Sequence, residues 1–428
     1  MKHLLHILPK GATYEARSRA QSWTSLIKVW EFRAVTIAAR QRPPRRLHLS
    51  LRGQAFTGLV WQILVVGLAV ALVAWLWSNA LHNLSARRIS TGFAFLGREA
   101  GMPIADSWLP YSPKDSFLWA FVVGIVNTLR VAVIGIVLAT VLGTMIGIAR
   151  LSANWLLSRL AAVYVEVLRD IPLLLQLLFW YVLMQGLPAA RGAWNPVRGI
   201  YLSNRGLVLP SIPIGSGQLV VLATAAIGLV VFHLLRRRLI ARQMLDGRPR
   251  RAWPWAVLLI AALPGALSWA LGVSWTITLP ELRGFNFVGG LTLSPEYFAL
   301  LIALVTYTSA FIAEIVRSGI QAVPRGQWDA AAALGLRRSF VLRQIVLPQA
   351  LRLIVPPLTS QYLNLTKNSS LAVAIGYQDI VSIANTTLNL TGQAIEAIAL
   401  IMLVFLTISL SISLFMNWYN ARIALSER

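Results

Sequence analysis

The chain has 428 residues, of which 57% are apolar and only 13% are charged, and its mean hydropathy is +0.66. A soluble domain carries about 25% charged residues, so this composition excludes one and points to a polytopic membrane protein. Cysteine is absent, which excludes disulfides, thiolate nucleophiles and cysteine metal sites, and the net charge is +24.

Residues 1–57 are polar and basic, and positive charge of this kind holds a segment in the cytoplasm. Ser25 to Ile37 reads either as a surface helix, with Trp23, Trp30 and Phe32 at the interface, or as a loose tail. The first span is expected near Gly58–Trp77, with an external segment over residues 80–116. The second lies within Phe117–Ile148, and Arg150 marks its cytoplasmic exit. Arg130, early in this span, is costly in lipid unless it snorkels outward or faces protein. The third lies within Leu160–Leu183 and opens on the polar Glu166, Arg169 and Asp170. An external loop, Pro188–Gly217, leads to two more spans near Leu219–Leu235 and Trp255–Val273. Between them stand Arg236, Arg237, Arg238, Arg242, Arg248, Arg250 and Arg251 against Asp246. Flanking spans make this run a cytoplasmic loop touching anionic lipid rather than a nucleic-acid site. Thr276–Glu296 is external, and a span follows at Tyr297–Val316. The last two spans are near Ala350–Ile375 and Ala394–Trp418, before a short cytoplasmic tail at 421–428. Eight spans put both ends of the chain inside.

The longest polar break in the apolar C-terminal half is Gln327–Pro348. Asp329 to Leu334 is alanine-rich and helix-forming. Gly335 accepts a left-handed cap and ends that helix. A second short helix is expected over Leu336–Val346, with Pro348 breaking it from the next span. Two short helices bent at a glycine fit a groove on a partner protein.

Asp329-Ala330-Ala331, then Gly335, then Ile345, Leu347 and Pro348 together resemble the EAA loop of ABC importer permeases, which docks on the ATPase subunit. The usual first letter is Glu; Asp329 keeps the charge and shortens the reach. Tyr164 to Leu177, with Glu166, Arg169, Pro172 and Gln176, is similar to a segment of polar amino-acid permeases, although Asp170 and Ile171 depart from the usual Gly and Thr. The resemblance covers roughly residues 117–186 and 297–420. It implies an all-α polytopic membrane protein of about eight transmembrane helices with a type I ABC importer permease core. Within that permease domain, 117–420, a two-span hairpin at about 217–275 is inserted, and the coupling loop occupies about 318–349. The first span and external segment, 58–116, precede the domain. The length is most like that of the large subunits of general L-amino-acid permeases of Gram-negative bacteria.

The candidate substrate pathway comes from polar groups at membrane depth, which face protein or water. Asn364, Lys367 and Asn368 are three and four apart, so Asn364 shares a helical face with the other two, and Ser369 follows. Relatives carry a carboxylate where Asn368 stands. Its loss implies a pocket that favours cations less and accepts varied side chains. Glu314 either pairs with Arg317 on one helix face or meets an amino-acid ammonium. Gln176 offers a donor and an acceptor to the pathway.

No G-x-x-x-x-G-K-[ST] pattern occurs, so ATP hydrolysis in that manner belongs to a partner. The five histidines show no zinc-motif spacing. The chain is therefore read as non-catalytic, with no cofactor of its own and with ATP-Mg held by the partner. The resemblance implies an ATP-binding subunit dimer, a second permease subunit (a paralogue rather than a copy), a periplasmic amino-acid-binding protein and an L-amino acid as substrate. The setting is the bacterial inner membrane. The alternative is an ion- or proton-coupled secondary transporter using Glu166 and Glu314 as coupling carboxylates. An intramembrane enzyme is disfavoured by the lack of Cys, of a His-rich site and of a G-x-S-x-G elbow.

Overall fold

The computed structural model describes residues 51–86, 92–247 and 251–423. Expectations about residues 1–50, Arg248, Arg250 and the last residues of the tail lie outside them. The chain divides into two units, Met1–Arg87 and Arg88–Arg428. The described residues of the first form one helix, α1 (Leu51–Ala86), which begins earlier than the expected span. Its stretch Val60–Ala80 is long and apolar enough to cross a membrane.

The second unit is a helical bundle. Its helices are α2 (Phe117–Ala149), α3 (Trp155–Asp170), α4 (Leu173–Gln185), α5 (Ser216–Asp246), α6 (Trp253–Ala256), α7 (Leu263–Ala270), α8 (Pro295–Gln321), α9 (Arg325–Ala333), α10 (Arg338–Val341), α11 (Leu347–Asn368), α12 (Ile380–Thr391) and α13 (Ala394–Ile423). A π-helical segment, Val257–Ala262, joins α6 to α7. Among the described residues, seven helices or continuous helical runs are long and apolar enough to cross a membrane, or eight if α3 and α4 form one bent span. The eight-span expectation follows this pattern.

Local sequence sets the helix starts. Ser116 Oγ accepts from Trp119 N at 3.3 Å and caps α2. Asn154 Oδ1 accepts from Leu156 N at 3.0 Å and Leu157 N at 3.2 Å, capping α3. Ser294 Oγ accepts from Tyr297 N at 3.1 Å, and Pro295 stands at the first turn of α8.

Helix α8 is the hub, since 67% of its spanning window is buried, against 33% for α2 and 11% for α13. It packs most extensively against α2, and glycine makes the close approach possible. A Cβ at Gly143 would sit 2.7 Å from the Ser309 carbonyl and from Ile312. One at Gly147 would sit 2.7 Å from the Ala313 carbonyl. Small residues let two backbones approach where water gives no hydrophobic drive between helices.

Four expectations change. The third span is two helices, α3 and α4, meeting at 103° across Ile171 and Pro172. Proline lacks the N–H that would continue α3 and holds the preceding residue extended. The second helix of the polar stretch is not separate. It runs from α10 through a π-helical segment, Leu342–Val346, into α11, so Pro348 does not break the chain. A π turn shifts the hydrogen-bond register and lets the helix absorb a proline, and Gln349 Nε2 donates to the Ile345 carbonyl at 3.0 Å. The loop Pro188–Gly217 contains β1 (Trp194–Val197), β2 (Ile200–Ser203) and β3 (Gly206–Leu209). The segment Thr276–Glu296 contains β4 (Glu281–Arg283), β5 (Asn286–Val288) and β6 (Leu291–Leu293). These strands form an antiparallel sheet in the order β1-β2-β3-β6 and a β4-β5 hairpin. The inserted hairpin α5–α7 therefore leaves and re-joins the bundle through one sheet, with Ser211 and Thr278 paired beside it.

Candidate functional site

The bundle has a sheet end, where α2 and α8 start, and a turn end, where they finish. At the turn end, α9 stops in a glycine-capped turn. Leu336 N donates to Ala331 O at 3.2 Å and Gly335 N to Ala332 O at 2.9 Å, with Gly335 at φ +66°. That double closure satisfies the last carbonyls of α9 and needs a left-handed residue. Ala331 is buried, Ile345 is half-buried, and Val341 and Val346 anchor the turn in the core. Asp329, Ala330, Gly335, Leu347 and Pro348 are exposed, as are Leu334 (76%) and Phe340 (51%). The residues of the loop motif thus split into an inward anchor and an outward face of apolar and acidic groups.

Glu314 stands behind this turn on α8. Arg150, the residue ending α2, and Arg317, one turn along α8, both bond its carboxylate. Arg317 Nε reaches Glu314 Oε2 at 3.2 Å, and its Nη1 bonds Gln321 Oε1 at 2.6 Å. The expected Arg317 pair is present, and Arg150 was missed. The signal was its place just past the end of the second span.

At the α3–α4 bend, Gln176 is buried and turned back. Its Nε2 donates to Leu168 O at 2.8 Å and Ile171 O at 3.0 Å, closing the end of α3. Its amide nitrogen thus braces the bend. The bend exposes Glu166, Arg169 and Asp170. Arg169 lies 5.0 Å from the Phe311 ring centroid. Phe311 is about 24 Å along α8 from Pro295, at ~1.5 Å rise per residue. Charges at such depth face water or protein, not lipid.

Helix α11 shows one exposed stripe: Leu353, Pro356 and Pro357, Ser360, Asn364 and Lys367. Their spacing follows one helical face. Asn368 is half-buried beside it, and Ser369 is buried, donating to Thr366 O at 2.7 Å. The structure thus brings Asn364, Lys367 and Asn368 together on one stretch of α11.

At the sheet end a polar lattice closes the bundle. Arg130 is buried, bonds Asp106 Oδ1 at 3.0 Å and lies 3.8 Å from the Tyr297 ring centroid and 4.4 Å from that of Trp108. It faces protein, one of its two expected fates. Asp106 Oδ2 accepts from Ser294 Oγ at 2.7 Å. Asn127 Nδ2 donates to the carbonyls of Asp106 (2.7 Å) and Gln378 (2.9 Å). A cavity of about 670 Å³ opens beside this lattice, lined in part by Asp106, Gln185, Asn204, Arg205, Glu296 and Gln378. Beneath it, Asp379 caps α12 through Ser382 N at 2.8 Å, and burial raises its carboxyl pKa to about 7. Sequence reasoning missed Asp106 and Asp379, because both sit in loops without a recognisable pattern. Among the described residues, no three His, Asp or Glu side chains lie close enough to hold a metal.

Residues 135–425 match the family model "Binding-protein-dependent transport system inner membrane component". The chain is 50% identical over 382 residues to the putative amino-acid ABC transporter permease protein YhdX of Escherichia coli strain K12, covering 89% of this chain and 97% of that one. It is 45% identical over 374 residues to the general L-amino acid transport system permease protein AapQ of Rhizobium johnstonii, covering 87% and 94%. It is 40% identical over 429 residues to the glutamate/glutamine/aspartate/asparagine transport system permease protein BztB of Rhodobacter capsulatus, covering 92% and 100%.

Proposed function

Because the chain belongs to the family of binding-protein-dependent transport system inner membrane components, we propose that it is the permease subunit of an ATP-driven importer of L-amino acids. Its relatives are amino-acid permeases along nearly their whole length, which supports the substrate class. The sheet end faces the periplasm, and the turn end and both termini face the cytoplasm. Arg236, Arg237, Arg238 and Arg242, at the far end of α5, support that orientation.

The observation that carries the reading is the outward face of the α9–Gly335–α10 turn. Leu334 and Phe340 are exposed beside Asp329 on a turn whose other side is locked into the bundle core. A rigidly anchored, exposed apolar tip is what a docking element needs. It inserts into a groove of a partner ATPase dimer, which binds ATP-Mg and hydrolyses it. The Glu314 clasp joins the ends of α2 and α8 just before the turn, so a push on α9 reaches both helices.

The polar stripe of α11 and the charged corner at Glu166, Arg169 and Asp170 are uncovered in the single chain. A second permease subunit, a paralogue, covers them and completes the pathway. Amino acid delivered by a periplasmic binding protein then passes Asn364, Lys367 and Asn368. Alternating access follows as each ligand favours the state it binds better.

Co-purification from mild detergent tests the docking face. The wild-type chain is expected to retain an ATPase bearing a G-x-x-x-x-G-K-[ST] motif, and Gly335→Asp to lose it while the bundle still elutes as a folded species. Equal recovery of the ATPase with both chains, or of none with either, contradicts the reading.

A further inference from the structure

The connection from α4 to α5 carries Arg191, Arg198 and Arg205 and no carboxylate. All three arginines are exposed. In the proposed topology this short segment is translocated, where Lys and Arg are disfavoured. Three arginines on a segment with no carboxylate of its own need a reason other than topology.

They are displayed on a built surface. Val208, Phe287 and Ala190 form a small core under the sheet, and the rings of Tyr201 and Phe287 lie 4.7 Å apart. Arg191 is held over the Phe285 ring at 4.0 Å, and its Nε donates to Gly284 O at 3.3 Å. Large apolar side chains stand among the charges: Trp194 is 59% exposed, Val197 62% and Phe285 72%. Arginine beside exposed aromatic rings is the composition of protein–protein contact centres. The turn between β2 and β3 also places Asn204 and Arg205 on the cavity of about 670 Å³. A partner seated on the sheet therefore meets that opening.

We infer that the β1–β2–β3 face, with Arg191, Arg198, Trp194 and Phe285, is the docking platform for an acidic face of the soluble amino-acid-binding protein. The inference rests on the importer reading and deepens it. The partner is soluble because the family is binding-protein-dependent. It is acidic there because Arg191 and Arg198 stand exposed on a connection with no carboxylate of its own, and such a positive patch steers encounter with an acidic face.

The test uses the complete transporter in liposomes, with the binding protein of the same system saturated with L-glutamate. ATPase activity is measured against binding-protein concentration for wild type, R191E/R198E, R198E and R191K/R198K. The concentration giving half-maximal stimulation is expected to rise roughly tenfold in the double reversal and less in R198E. The lysine pair stays near wild type, and activity without binding protein is unchanged in all. Raising salt weakens the wild-type response and barely affects the double reversal. Half-saturation within twofold of wild type in the double reversal overturns the inference. So does a change that appears only when the anionic lipid of the liposomes is varied, since that marks a headgroup contact. If wild type itself shows no stimulation, it is the importer reading that fails.

Discussion

The carboxylate of Glu314 is held by Arg150, the residue that ends α2, 164 positions earlier in the chain. Arg317 bonds both of its oxygens. These two helices, packed together at Gly143 and Gly147, are thus also joined by charge at the end from which the docking turn departs. Glu314 and Arg150 are largely shielded from solvent, so loss of one partner leaves a charge in a poor environment. Glu314→Gln is expected to cost about 1–3 kcal/mol. Arg150→Gln should cost less, because Arg317 remains. In a reconstituted transporter, both should lower amino-acid uptake more than ATP hydrolysis. Equal loss of the two activities would mean that the clasp only supports folding.

Close approach of α2 and α8 depends on Gly143 and Gly147. Gly143→Leu is expected to separate the helices and lower the apparent melting temperature of the solubilised chain by several degrees, with a cost above about 2 kcal/mol. Gly326→Ala, on exposed helix α9 with open space around the added carbon, should leave it unchanged or slightly raise it. Thermal unfolding in one detergent compares the pair directly.

Asn368 sits half-buried beside the exposed Asn364 and Lys367. Asn368→Asp adds a carboxylate to the pathway and is expected to raise arginine uptake relative to glutamate several-fold, since a new charge within about 5 Å is worth on the order of 1 kcal/mol or more. Competition between labelled arginine and glutamate measures it. An unchanged ratio removes Asn368 from the selectivity set.

Burial raises the Asp379 carboxyl pKa to about 7. Its folded value lies above its unfolded one. The protonated carboxyl thus stabilises the fold fully below about pH 4, and that contribution is lost as pH rises towards 7 and beyond. At about 1.4 kcal/mol per tenfold change in proton affinity, the ionised form costs on the order of a few kcal/mol. Asp379→Asn keeps a cap for α12 and removes the charge. It should raise the melting temperature most at pH 8, less at pH 5, and leave it near wild type at pH 4 and below. The opposite pH trend would place a cation beside the carboxylate.

Much of this architecture was legible because membranes impose simple rules. Spans are long apolar runs, and seven of the eight expected positions overlay observed helical runs, the third falling on the bent α3–α4 pair. The Asp329–Gly335 turn was legible because a left-handed glycine after an alanine run has one common use. What escaped was set by contacts across distance. Nothing near Arg130 in sequence announces Asp106 and Tyr297, since these come from a loop and from α8. Gln176 drew attention as a donor and acceptor within an apolar run, and only the 103° bend brings its amide nitrogen to the carbonyls of Leu168 and Ile171. Pro348 looked like a break because a π turn that absorbs it leaves no mark in composition. The strands hid in Gly- and Arg-rich loops, although Ile200–Ser203 and Gly206–Leu209 flank a tight turn at Asn204 and Arg205.

The central claim is that ATP, acting through the α9–Gly335–α10 turn, drives uptake through this bundle. The most direct measurement is L-amino-acid uptake into liposomes holding the purified complex, with binding protein outside and ATP trapped inside. Uptake that requires both, persists with an uncoupler present and disappears in Gly335→Asp is the predicted result. Uptake that proceeds without ATP and collapses with the uncoupler would contradict the account and make the chain an ion-coupled carrier.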